Sequence, residues 1–101
     1  MGDTDGAIGA LESAVDIYPG YDKAYGAMGD IYINAKNYEK GKQVLNMAIT
    51  VNPNYAKGYA SLGILSTEEK NWEKAIANLT MATTLDGRDA MSFFRLAGAY
   101  N

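Results

Sequence analysis

Side chains thirty-four positions apart have matching size and polarity along this chain. The core stretch reads Tyr25-x2-Met28-Gly29-x2-Tyr32, then Gly41-x3-Leu45-x2-Ala48, then Pro53. One period later, Tyr59, Leu62, Gly63, Ala75, Leu79 and Ala82 stand at the matching places. A further period brings Phe93, Leu96, Ala97 and Tyr100 to the places of Tyr25, Met28, Gly29 and Tyr32. One period earlier, Ala7, Leu11, Ala14 and Pro19 match Gly41, Leu45, Ala48 and Pro53. A repeat of this length fixes the architecture before any local assignment, because each unit buries its apolar face only against its neighbours.

The spacing inside each period is helical. Ala7, Ile8, Leu11, Ala14, Val15 and Tyr18 recur every three or four residues and predict a helix over 3–18, capped by Asp3 or Thr4 and ended by Pro19-Gly20. Gly6 and Gly9 each weaken it by about 1 kcal/mol relative to alanine. Further helices are predicted over 22–35, 38–51, 55–68 and 72–85, and a sixth from about 90 to 101. Asn37 and Asn71 are placed to cap the third and fifth. Asn52-Pro53 ends the third, since the residue before proline disfavours helix. Asp86-Gly87 breaks the chain where proline stands in the earlier copies.

Gly29, Gly63 and Ala97 fall in mid-helix, where glycine is unfavourable, so a packing reason is expected. Small residues let two helix backbones approach. Gly41, Ala75 and Ala7 are the expected facing positions on the partner helix, followed by Ala14, Ala48 and Ala82. Tyr25, Tyr59, Leu45 and Leu79 fill the space beside them.

These motifs resemble the tetratricopeptide repeat family. The aromatic-x2-Leu/Met-Gly-x2-Tyr segment, the Ala/Gly-x3-Leu segment, the following alanine and the closing proline stand at that family's spacing over essentially the whole chain. Departures are mild: Ser66 replaces the usual tyrosine, Gly41 the usual alanine and Gly87 the usual proline. The resemblance implies an all-α, right-handed α-solenoid of antiparallel helix pairs, each an A helix followed by a B helix. The six helices then run in B-A-B-A-B-A phase within one domain: a half repeat 1–21, repeats 22–55 and 56–89, and a half repeat 90–101. The first helix lacks its A partner and the last its B partner. Phe93, Leu96, Ala97 and Tyr100 form the stripe that a following helix would cover. Two explanations are open: a fragment of a longer array, or self-association into a homo-oligomer through the unpaired terminal helices.

Composition closes several routes to chemistry. Cysteine and histidine are both absent. That excludes disulfides and thiolate chemistry, and removes the commonest metal ligand and general base. With 48% hydrophobic and 21% charged residues the balance is that of a folded domain. The net charge of −3, without clustered Lys and Arg, argues against a nucleic-acid partner. No run approaches the roughly 20 apolar residues of a membrane span. Met1 to Asp5 lacks the basic region of a signal peptide, so a cytoplasmic location is the expectation.

Motif-like fragments yield to the repeat. Asp3, Asp5, Gly6, Ile8 and Glu12 fall at calcium-loop spacing, but Met1 stands at the first ligand position and Gly9 at the ninth, and the same residues belong to a predicted helix. Asn78-Leu79-Thr80 fits a glycosylation triplet, yet Leu79 is a repeat core position. Glu68-Glu69 reads as a solvated helix end beside Lys70. Gly58 and Gly63 lie in one helix and lack the Lys-Ser/Thr pair of a phosphate loop. No catalytic constellation emerges, so neither an enzyme activity nor a cofactor is expected.

The resemblance implies a concave groove lined by A helices that receives a peptide or partner helix. Carried over by position, its residues are Lys23, Gly26, Ala27, Asp30, Ile33 and Asn34, then Lys57, Ala60, Ser61, Ile64, Thr67 and Glu68, then Met91, Phe94, Arg95 and Gly98. Anchoring is expected from Ile64, Met91 and Phe94, and orientation from Lys23, Asp30, Asn34 and Lys57, with Thr67 also lining the wall. The alternative for Met91 and Phe94 is packing on a neighbouring helix. Some family members grip a chaperone's C-terminal carboxylate with a lysine/asparagine clamp. Here Gly26, Asp30, Ser61 and Met91 occupy four clamp places and only Arg95 fits, so that ligand is not expected. The expected partner is a protein or peptide, with the chain acting as an interaction module. Its alternatives are a self-associating scaffold and a regulatory part of a larger enzyme.

Overall fold

The structure, a computed structural model, describes residues 3–86 and residue 98. Every regular element formed by residues 3–86 is a helix: α1 (Asp3–Ile17), α2 (Asp22–Asn34), α3 (Tyr38–Val51), α4 (Ala56–Glu68) and α5 (Trp72–Leu85). The sequence-derived bounds differ from these by at most one residue at either end. The sixth predicted helix falls outside the described residues, Gly98 apart. No helix among the described residues is long and apolar enough to cross a membrane. The chain divides after Pro53 into two compact units, the first holding α1 to α3 and the second α4 and α5.

The turns inside the two hairpins repeat bond for bond. After α2, the Asn37 N–H donates to the Tyr32 carbonyl at 2.8 Å and the Lys36 N–H to the Ile33 carbonyl at 2.9 Å. After α4, Asn71 donates to Ser66 and Lys70 to Thr67 at the same two distances. This pair of bonds closes a helix through one left-handed residue, usually glycine. Here lysine fills the position, with φ of 61° at Lys36 and 60° at Lys70. Each asparagine then caps the next helix. The Asn37 side chain accepts from the Lys40 N–H at 3.4 Å, and Asn71 from the Lys74 N–H at 3.3 Å.

Within the first unit, α2 and α3 form an antiparallel hairpin. Asn52, just past the end of α3, donates its side-chain N–H to the Asp22 carboxylate at the start of α2, at 2.7 Å. Ala24, Tyr25 and Met28 of α2 are buried with Leu45 and Ala48 of α3. Gly29 sits directly against Leu45, and a Cβ there would overlap the leucine's Cγ and Cδ2. In the second unit, a Cβ on Gly63 would lie 2.6 Å from the same two atoms of Leu79. The glycines therefore make room for the leucines expected beside them. Gly41 and Ala75 are buried in the same hairpins. Each contact is a knob-into-hole packing of a branched side chain over a bare backbone. Full burial of each leucine contributes about 1.5–3 kcal/mol.

The first helix departs from the pattern of its later copies. Leu45, Ala48, Leu79 and Ala82 have no exposed surface, whereas Leu11 and Ala14 are half-buried and Ala7 is exposed. Among the described residues no helix covers Ala7, in keeping with a first helix expected to lack its partner. Ile8 is the buried anchor of α1 against α2. Ser66, which stands where Tyr32 stands one period earlier, is buried, and its hydroxyl donates to the Leu62 carbonyl at 2.8 Å. Burial of that polar group is thereby offset within its own helix.

Candidate functional site

Two surfaces carry side chains beyond what packing requires. The first comprises the sides of α2 and α4 that the sequence singles out, one in each unit. On α2, Lys23, Ala27, Asp30 and Asn34 recur at three- and four-residue steps and share one side. Lys23 and Asn34 are exposed and Asp30 is half-buried. On α4, Lys57, Ile64 and Thr67 share the equivalent side. Lys57 is exposed and the other two are half-buried. The Thr67 hydroxyl donates to the Gly63 carbonyl at 2.9 Å, which leaves its oxygen as an acceptor only. Asp30 and Lys57 already have partners within the chain. Gly26 on α2 and Ser61 on α4, expected in the same groove, are buried. Met91, Phe94 and Arg95 lie outside the described residues.

The second surface has no counterpart in the sequence reading. Within the first unit, a cleft of about 520 Å³ opens between α1, α2 and α3. Glu12, Ser13 and Asp16 of α1 form one wall, Tyr25, Met28 and Tyr32 of α2 another, and Val44 of α3 closes it. A neighbouring cleft of about 410 Å³ shares Glu12 and Tyr32 and adds Asp5, Asn37 and Lys40. The Lys40 ammonium lies 5.9 Å from the centre of the Tyr32 ring. Such a cleft is hard to foresee, because its lining comes from three helices and its acids do not follow the repeat. Glu12 and Asp16 read in isolation as ordinary solvent-facing acids.

The fragments weighed in the sequence also find their places. Residues 3–12 lie in α1 and form no cation-binding loop. Asn78-Leu79-Thr80 lies inside α5, with Leu79 fully buried.

Helical hairpins repeated at thirty-four residues, each locked by a glycine under a leucine, define a helical-repeat protein. The model of the tetratricopeptide repeat family matches residues 1–65, and the chain belongs to that family. Its fold is similar to the first tetratricopeptide domain of Spaghetti (RPAP3), solved bound to the HSP90 peptide SRMEEVD. That match has a TM-score of 0.91 at 19% identity and covers 98% of this chain and 79% of the other. It is also similar to the OM64 tetratricopeptide domain of Arabidopsis, with a TM-score of 0.89 at 13% identity over 96% and 80% of the two chains. At these identities the likeness shows the fold alone. No curated protein matches the sequence.

Proposed function

We propose that this chain is a non-catalytic interaction module whose A-type helices receive an extended peptide or a partner helix. The observation that carries the reading is the recurrence of exposed Lys23 and Lys57 at equivalent places on α2 and α4, on sides that neither hairpin uses for its own packing. Around them stand the polar groups of Asp30, Asn34 and Thr67 and the apolar surface of Ile64. Such a mixture suits recognition of a peptide backbone with side-chain selectivity. Met91 and Phe94 supply the apolar anchors of the same proposal.

The structural neighbour's HSP90 peptide is the natural comparison. Four clamp places for a terminal carboxylate hold Gly26, Asp30, Ser61 and Met91 here, none cationic and one acidic, and only Arg95 fits the clamp. We therefore assign the face to an internal segment of mixed polarity and not to an acidic C-terminus. Titration of candidate segments against wild type, Lys57→Ala and Phe94→Ala tests the assignment. A loss of about tenfold in affinity in either variant is expected. Unchanged affinity in both removes this face from consideration.

A further inference from the structure

We propose that the cleft between α1, α2 and α3 binds an arginine side chain presented by a partner polypeptide. The site is independent of the peptide face. At 3.6 residues per turn, Tyr25, Met28 and Tyr32 lie on the opposite side of α2 from Lys23, Asp30 and Asn34.

Charge is the first argument. Glu12 and Asp16 stand one helical turn apart on α1 and both line the cleft. Neither side chain has an ion pair or hydrogen bond among the described residues. Like charges at this spacing repel. The repeat does not require them, because thirty-four residues later the positions hold Asn46 and Thr50. An acid pair without a partner among the described residues, in a concave wall, is complementary to a cation.

The second argument is independent of charge. Tyr25 is nine-tenths buried, and its hydroxyl has no hydrogen-bond partner among the described residues. No buried side-chain oxygen or nitrogen among those residues is left unsatisfied, so this hydroxyl must reach solvent. Tyr25 also lines the cleft. A ring nine-tenths buried thus borders the same space as the two acids.

Shape and polarizability favour arginine. The apolar sides of Met28, Val15 and Val44 would cover the aliphatic stem. Two carboxylates and a phenol match the fork of five guanidinium donors better than a single ammonium. Tyr32 already accepts the Lys40 cation near its ring, which shows the ring suits a cation. The volume of about 520 Å³ fits the range of about 300–1,000 Å³ typical of ligand clefts. A bare calcium ion fits poorly, since it takes six to eight oxygens at short range. No group of three or more acidic, histidine or cysteine side chains able to hold a metal occurs among the described residues.

The test uses the 15N-labelled full chain and three blocked tripeptides, Gly-Arg-Gly, Gly-Lys-Gly and the neutral isostere Gly-citrulline-Gly. The arginine peptide should give saturable amide shifts centred on residues 12–16 and 25–32, weakened by salt. The lysine peptide should bind less tightly, and the citrulline peptide should leave the spectrum unchanged. The double variant E12Q/D16N should weaken arginine binding about tenfold. Both acids are exposed and repel each other, so its melting temperature should equal or slightly exceed that of wild type and certify the fold. Tyr25→Phe, which keeps the ring, should weaken binding by a smaller factor, and Lys57→Ala should leave it unchanged. No shifts with the arginine peptide, equal shifts with citrulline, or full affinity in the double variant would overturn the assignment.

Discussion

Replacing Gly63 by alanine should destabilise the chain, although the same change in most helices is stabilising. An added Cβ would sit 2.6 Å from Cγ and Cδ2 of Leu79, about 1 Å inside ordinary carbon–carbon contact. Leu79 has no exposed surface, so it cannot swing away without displacing its neighbours. Overpacking of this severity costs about 3 kcal/mol, while alanine gains about 1 kcal/mol of helix propensity over glycine. The net loss is about 2 kcal/mol. Gly9 provides the control, since it is exposed and an added Cβ there meets no atom within 4 Å. Gly9→Ala should therefore stabilise by about 1 kcal/mol, leaving about 3 kcal/mol between two chemically identical substitutions. Urea unfolding followed by circular dichroism gives both values. Leu79→Ala alone should cost about 2–5 kcal/mol. Combined with Gly63→Ala it should cost at least ~1 kcal/mol less than the sum, because the new methyl enters the space the leucine leaves. A stabilised Gly63→Ala variant, or strict additivity, would refute the knob-and-hole account.

Lys36→Gly and Lys70→Gly should each raise stability by about 0.5 kcal/mol, since glycine removes the left-handed strain at φ near 60° but adds freedom to the unfolded chain. A rise of about 2–4 °C in Tm would register it. Asn52→Ala removes the 2.7 Å bond to Asp22 that ties the end of α3 to the start of α2, and should cost about 1 kcal/mol. The loss should be smaller when Asp22→Ala is already present, which a double-mutant cycle reads directly.

Much of the fold was legible because it rests on local chemistry. Asn37 and Asn71 announce the helices they cap, and Pro19 and Pro53 announce where helices stop. The mid-helix glycines signalled close packing, and Leu45 and Leu79 stand beside them as expected, although the seat of each leucine directly over bare backbone carried no signal of its own. Periodicity says which residues share a face, not which pair meets across a hairpin. The turns at Lys36 and Lys70 carried no signal, because a left-handed position is normally read from glycine. The α2 and α4 faces could be placed from the repeat, since equivalent positions recur thirty-four apart. The cleft could not. Glu12, Asp16 and Tyr25 come together only when α1 packs on α2, and no spacing along the chain encodes that meeting.

The interaction-module reading is tested most directly by selecting random linear peptides on the folded chain and measuring the enriched sequences against Lys23→Ala/Lys57→Ala. The account predicts enriched peptides whose affinity falls about tenfold in that variant, with amide shifts along 23–34 and 57–67. Enriched peptides that bind the variant as tightly as wild type, or a selection that enriches none, would contradict it.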